Sequence, residues 1–149
     1  MIIDPENVPA RRGSAYPGGF AALAGGREKR ALGDAGGLTQ FGVNLTRLPP
    51  GAWSSQRHWH ATEDEFVWVL EGELTLITDQ GERIVRPGQG CAFKAGVPDG
   101  HHFINRSDAD AVYLEVGTRT GADTAEYPDI DMRYVNGVFV HKDGTPYER

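Results

Sequence analysis

The chain has 149 residues, 39% of them hydrophobic and 20 of them glycine, enough for one domain with its own core and too apolar for a disordered chain. Fifteen Lys and Arg against 21 Asp and Glu give a net charge of −6, with no basic stripe to follow nucleic-acid phosphates. A single cysteine, Cys91, excludes a disulfide framework, and the longest apolar run, Phe66 to Leu70, is too short to cross a bilayer.

The N-terminal residues Met1-Ile2-Ile3-Asp4-Pro5-Glu6 lack the basic start and apolar stretch of a secretory signal. Arg11-Arg12 is followed by a glycine-rich stretch rather than by the apolar segment of a twin-arginine signal, so the expectation is a cytoplasmic protein. Residues 1–30 read as an irregular arm lying across the sheets, with a short helical turn near residues 20–23. Beyond it, short segments rich in Val, Ile, Leu, Phe and Thr alternate with Gly and Pro punctuation, the pattern of an all-β sandwich or barrel. The expected strands span 38–47, 56–60, 65–70, 73–78, 83–86, 90–93, 101–105, 111–117, 132–135 and 138–141. The last two flank Asn136-Gly137, which favours a type I′ hairpin because both central residues need positive φ. The chain therefore divides into an arm (1–37), a core (38–117) and an extension whose hairpin packs on the core (118–149).

The strand Phe66-Val67-Trp68-Val69-Leu70 is apolar on both faces, whereas an antiparallel strand facing water alternates. The arm, the C-terminal hairpin or another subunit must then cover its second face, and a homodimer is one expectation.

Four of the five histidines fall in two short stretches, His58/His60 and His101/His102. Residues two apart emerge on one face of a strand, so the imidazoles of His58 and His60 converge if the segment is extended. After a turn at Ala61-Thr62-Glu63-Asp64, Glu65 opens the next strand, and an antiparallel neighbour can return its carboxylate to the same face. Imidazole with carboxylate is the ligand set of Fe, Mn, Ni, Cu or Zn. His101 and His102 cannot both enter one pocket from a regular strand.

The stretch from Gly51 to Gly72 resembles the first motif of the cupin superfamily, G-x5-H-x-H-x3,4-E-x6-G. Six residues here separate Gly51 from His58, four separate His60 from Glu65, and six separate Glu65 from Gly72. Gly88, Gly96 and His101-x3-Asn105 resemble the second motif, G-x5-P-x-G-x2-H-x3-N. Lys94 stands in place of the proline, and four rather than two residues precede His101. The added pair leaves strand parity unchanged. The resemblance implies a double-stranded β-helix, a jelly-roll barrel with a pocket at one end. It also implies one divalent transition metal held by His58, His60, Glu65 and His101, with Asn105 near the barrel wall.

Among the aromatics, Trp53 is expected at the pocket mouth, and Trp59, between the two histidines, is expected to face away from the metal. Glu63 and Asp64 read as turn caps or as acceptors fixing an imidazole N–H, Cys91 as a small buried apolar residue, and His141 as a surface residue. The acidic turn from Tyr127 to Asp131 suggests no chemistry. The resemblance implies a protein that binds a small molecule, with no nucleic-acid or membrane partner. As a metal-dependent enzyme it would be a dioxygenase, isomerase, decarboxylase or lyase acting on a sugar, diol or carboxylate. The alternative is a non-catalytic ligand-binding or sensory cupin with a structural or vestigial metal site.

Overall fold

The structure, a computed structural model, describes residues 1–148. A 3-10 turn at Pro5–Asn7 leads into β1 (Ala10–Arg12), and a second at Gly18–Ala24 precedes β2 (Glu28–Ala31) and a single helical turn, α1 (Leu32–Ala35). The barrel strands follow as β3 (Phe41–Leu48), β4 (Trp59–His60), β5 (Glu65–Glu71), β6 (Leu74–Thr78) and β7 (Gly81–Val85). Next come β8 (Gly90–Phe93), β9 (His102–Ile104) and β10 (Ala111–Thr118). The chain closes with β11 (Thr124–Tyr127), β12 (Met132–Val135) and β13 (Val138–Val140).

Every strand pairing is antiparallel. Six strands form one sheet in the order β1-β2-β3-β10-β5-β8, three form a second as β7-β6-β9, and four form a third as β13-β12-β11-β4. The first two sheets enclose a core of Leu48, Val67, Val69, Leu74, Phe103 and Tyr113. This is the double-stranded β-helix that the resemblance implies, and the all-β architecture that the strand pattern predicts. Among the described residues, no helix is long and apolar enough to cross a membrane.

Two parts of the sequence reading need correction. The arm is not irregular throughout, because β1 and β2 form a hairpin that extends the six-stranded sheet beyond β3. Its segments Ala-Arg-Arg and Glu-Lys-Arg-Ala have no apolar alternation, and such charged strands suit an unpaired sheet edge. The segment 124–127 is also a strand, β11, which pairs with both β12 and β4. It carries buried Ala125 and Tyr127, and the arm's Tyr16 and Phe20 pack against the same cluster.

The doubly apolar strand resolves into two faces. Val67 and Val69 are fully buried in the core, while Phe66, Trp68 and Leu70 remain 42%, 39% and 44% exposed on the outer face of the sheet. Neither the arm nor the hairpin buries them.

Two turns show what the sequence demanded. Asn136 and Gly137 have φ of 50° and 81°, as a type I′ turn between β12 and β13 requires. Gly72, the closing glycine of the first motif, has φ of 74°, and a Cβ there would lie 2.4 Å from the Asp110 carbonyl oxygen. Only glycine lets the turn from β5 to β6 pass this close to the start of β10.

Asn105 explains the end of the second motif. Its side chain is fully buried, and its Nδ2 donates to the carbonyls of Leu48 (2.7 Å) and Ala109 (2.8 Å). Its Oδ1 accepts from the Ser107 N–H (3.0 Å) and hydroxyl (2.7 Å). All the amide's groups are partnered, so burial carries no unsatisfied polar atom. The result pins the exit of β9 to the end of β3.

Candidate metal centre

The segment before β4 is a run of bends outside the sheets, ending in a single bridge at His58, so its position depends on specific ties. The His58 N–H donates to the His101 carbonyl (3.1 Å) and the His101 N–H to the His58 carbonyl (2.9 Å), a two-residue antiparallel bridge. Arg57 anchors the same segment. Its guanidinium makes a bidentate pair with Asp129, with both contacts at 2.8 Å, and also contacts Asp79 and the Gly100 carbonyl. The acidic turn between β11 and β12 thus has a role the sequence did not suggest: it holds the histidine segment in place.

Within this frame the side chains of His58, His60 and Glu65 converge. Their ligand-type atoms all lie within 4.8 Å of one another, so the three could hold a metal ion. His58 Nε2 lies 3.1 Å from His60 Nε2, and Glu65 Oε2 lies 3.6 Å from His60 Nε2 and 4.0 Å from His58 Nε2. His101 is not part of that mutually close set, but its Nε2 is 3.0 Å from Glu65 Oε2.

The hydrogen-bond pattern suits this cluster to a cation. His58 Nδ1 faces the Gln56 carbonyl at 2.8 Å, and His60 Nδ1 faces the Asp123 carboxylate at 2.6 Å. Both partners only accept, so each Nδ1 carries the proton and each Nε2 presents a lone pair. Two lone pairs 3.1 Å apart beside a carboxylate repel one another, and a shared positive ion removes that repulsion.

Electrostatics keep the groups in ligating form. Burial, reinforced by the neighbouring His101, pushes His58 down to about 3, so it stays neutral at any physiological pH. For Glu65, burial pushes the carboxyl up, but the hydrogen bond from His101 and the facing imidazoles outweigh it and hold the group ionised. Asp123 behaves likewise. Burial raises it, while the Thr62 N–H (2.9 Å) and His60 hold it below the ordinary range.

His101 is held differently. Its ring stacks on Phe93 with centroids 3.5 Å apart, and its buried Nδ1 has no hydrogen-bond partner. His102 points the other way, as strand parity requires. Its Nδ1 lies 2.9 Å from the Ser55 carbonyl and its ring meets Trp53 edge-on.

A cavity of about 510 Å³ opens from the cluster, lined by His60 and His101 together with residues of β6, β7 and β8. Trp59 lines this cavity, while Trp53, expected at the mouth, packs on His102 and bridges to Ile104. Cys91 packs against the core but also reaches the cavity wall, where partial burial raises its thiol. His141, half-exposed, pairs with Asp131 and stacks on Tyr147. Glu63 and Asp64 cap backbone N–H groups, of Thr120 (2.9 Å) and Ala95 (2.8 Å) respectively. The acceptor that fixes a ligand imidazole is Asp123, which sequence reasoning missed. It lies 63 residues beyond His60, and only the pairing of β11 with β4 brings it there, so no spacing rule could have found it.

The chain matches the family described as "Cupin domain" over residues 44–117. Among solved structures it is similar to a sugar phosphate isomerase from a cupin superfamily of Silicibacter pomeroyi, at 51% identity, covering 99% of this chain and 97% of that one, with a TM-score of 0.94. A second, named a "putative sugar phosphate isomerase", comes from Acidithiobacillus ferrooxidans, at 30% identity over 83% of this chain and 81% of that one, TM-score 0.74. The fold alone is shared with a polyketide cyclase from Streptomyces resistomycificus, at 23% identity over 79% of this chain and 78% of that one, TM-score 0.63. No curated protein matches the chain.

Proposed function

The chain belongs to the cupin superfamily, and from that membership we propose that it is a metal-dependent isomerase of a phosphorylated sugar. The observation that carries the reading is the cage of lone pairs at the end of a cavity of about 510 Å³, a volume within the ordinary small-ligand range of roughly 300–1,000 Å³. The choice of reaction leans on the description of the Silicibacter pomeroyi protein, whose identity of 51% extends over nearly the whole chain.

His58, His60, Glu65 and His101 would hold one divalent transition metal, drawn from Fe, Mn, Ni, Cu and Zn. Such a cation, when bound, polarises a carbonyl or hydroxyl oxygen and makes the neighbouring C–H more acidic. The rest falls to the chain. Moving a carbonyl to the adjacent carbon transfers one proton between carbons and one between oxygens, so a proton carrier must lie along the bound sugar. Two carboxylates outside the cage line the cavity, Glu63 and Asp99. Glu63 has ligand-type atoms within 4.8 Å of those of His60 and Asp123, and we assign it the proton transfer. One of its oxygens takes the Thr120 N–H, which fixes the side chain and leaves the other oxygen for substrate. Phe93 and Trp59 supply apolar wall that excludes water from the reacting end.

A second reading, a non-catalytic ligand-binding or sensory cupin, is favoured by one observation. Both cavity carboxylates are tied to the backbone, Glu63 to Thr120 N–H and Asp99 to Asp79 N–H, which occupies one oxygen of each. Incubating metal-loaded protein with aldose phosphates of four to six carbons in heavy water decides between them. Isomerisation with deuterium appearing at C1 of the ketose product, lost in His60→Ala and strongly slowed in Glu63→Gln, supports the enzyme. Binding without conversion or exchange replaces it with the second reading.

The proposal includes a homodimer in the cytoplasm. The outer face of β5, with Phe66, Trp68 and Leu70 uncovered by the chain's own arm and hairpin, fits a second copy. Trp68→Lys is expected to shift the mass measured by light scattering from dimer to monomer. A wild-type monomer removes this part.

A further inference from the structure

The cavity has a second chemical pole, away from the imidazoles. β7 pairs with β6 so that Leu74 faces Val85 and Leu76 faces Arg83. Paired residues share a sheet face, and Leu74 and Val85 belong to the buried core, so Arg83 projects from the inward face of its strand. Arg83 remains solvent-exposed, so water rather than a protein group solvates its guanidinium. Among the described residues it makes no side-chain hydrogen bond and no ion pair, in contrast to Arg57, Arg86 and Arg106, each of which meets a carboxylate. Instead it lines the cavity that also exposes His60 and His101.

Lys94, immediately after β8, lines the same cavity and is likewise without an ion pair among the described residues. It occupies the position where the second motif ordinarily has proline, so a cation replaces a residue without charge or N–H. The cavity's own acids do not neutralise the two cations. Glu63 Oε2 and Asp99 Oδ1 each accept a backbone N–H, and neither residue lies within 4.0 Å of Arg83 or Lys94 as an ion pair. On a chain with a net charge of −6, two unpaired cations facing one cavity are a local reversal of sign.

We propose that Arg83 and Lys94 form an anion subsite that holds the phosphomonoester of the ligand while its sugar end reaches the imidazole–carboxylate cage. The planar guanidinium suits bidentate contact with phosphate oxygens, and the ammonium adds a mobile point charge from the facing strand. The two cations come from different sheets, β7 from the three-stranded sheet and β8 from the six-stranded one, so a ligand bridging them spans the barrel mouth. This rests on the sugar-phosphate reading for the identity of the ligand, but not on the metal or the reaction.

The test separates these parts. Binding of inorganic phosphate, glucose 6-phosphate and glucose is measured calorimetrically on the full chain after metal removal, comparing wild type with Arg83→Gln and Lys94→Gln. The wild type is expected to bind both phosphates and to bind glucose far more weakly. Arg83→Gln is expected to weaken phosphate binding roughly tenfold or more, and Lys94→Gln roughly threefold to tenfold. Arg83→Lys should recover only part of the loss. Circular dichroism and metal content should be unchanged in all three variants, since neither side chain bonds to the protein. Phosphate affinity unaltered by both substitutions overturns the subsite, even if the protein isomerises sugars. Loss of phosphate binding in a protein without isomerase activity supports the subsite and defeats the enzymatic reading alone.

Discussion

The two histidine pairs send three imidazoles to the same centre, under opposite forms of control. On the first side, His58 and His60 each have their outer nitrogen tied, to Gln56 and to Asp123, so tautomer and ring direction are set by hydrogen bonds. On the second side, His101 has an unpartnered Nδ1 and is positioned by packing on Phe93, while His102 turns its bonds away from the site. Directional bonds specify a lone pair, and stacking specifies only a plane. The first side therefore presents fixed lone pairs, as the proposed metal site requires, and the second is held nearby, close to Glu65.

The largest expected effect tests that asymmetry directly. His58→Ala combined with Glu65→Ala should abolish stoichiometric metal binding, whereas His101→Ala should retain a weakened site that fills at raised metal concentration. Metal analysis after gel filtration reads both, and equal losses would erase the distinction. Next, Asp123→Asn releases the His60 ring from its anionic acceptor and should weaken metal affinity roughly 10- to 100-fold, measured by competition with a chelator. An unchanged affinity would mean that the tie is dispensable.

A third effect appears in metal-free protein as the pH falls. His58 is neutral in the folded chain down to about 3, against about 6.5 when unfolded. Above pH 6.5 neither state carries the proton. Below it the unfolded chain takes one up and the folded chain does not, so stability declines between pH 6.5 and about 3 by up to about 1.4 kcal/mol per pH unit. Urea midpoints across that window should show the decline, and His58→Gln should flatten it. The smallest effect belongs to the stacked side. Phe93→Leu keeps the apolar wall but removes the plane, and should lower metal affinity only a few-fold while broadening the His101 ring signals in NMR spectra.

What was legible in the sequence follows the same division. The convergence of His58 and His60 could be read because strand parity is local, and Glu65 because one short turn separates it from them. Parity says only that His101 and His102 cannot both face inward; the choice of His101 comes from the resemblance, through its spacing to Asn105. Asp123 could not, because its approach depends on β11 pairing with β4, a contact between segments that no local pattern joins. The arm's strands were hidden by composition: their charged residues carry no apolar period, and only pairing, of β1 with β2 and of β2 with β3, makes them strands. Trp59 was placed by parity away from the metal, yet it lines the cavity, because the pocket extends beyond the histidine and glutamate cluster.

The buried amide of Asn105 has a consequence for the life of the protein. It fixes the strand that carries His101 through four hydrogen bonds, none of which involves an ion. That tie does not depend on an ion, so under the proposed function a cation that left could return without refolding of the strand. Cargo would then track supply, and copies of the same polypeptide made under different nutrient conditions should carry different elements.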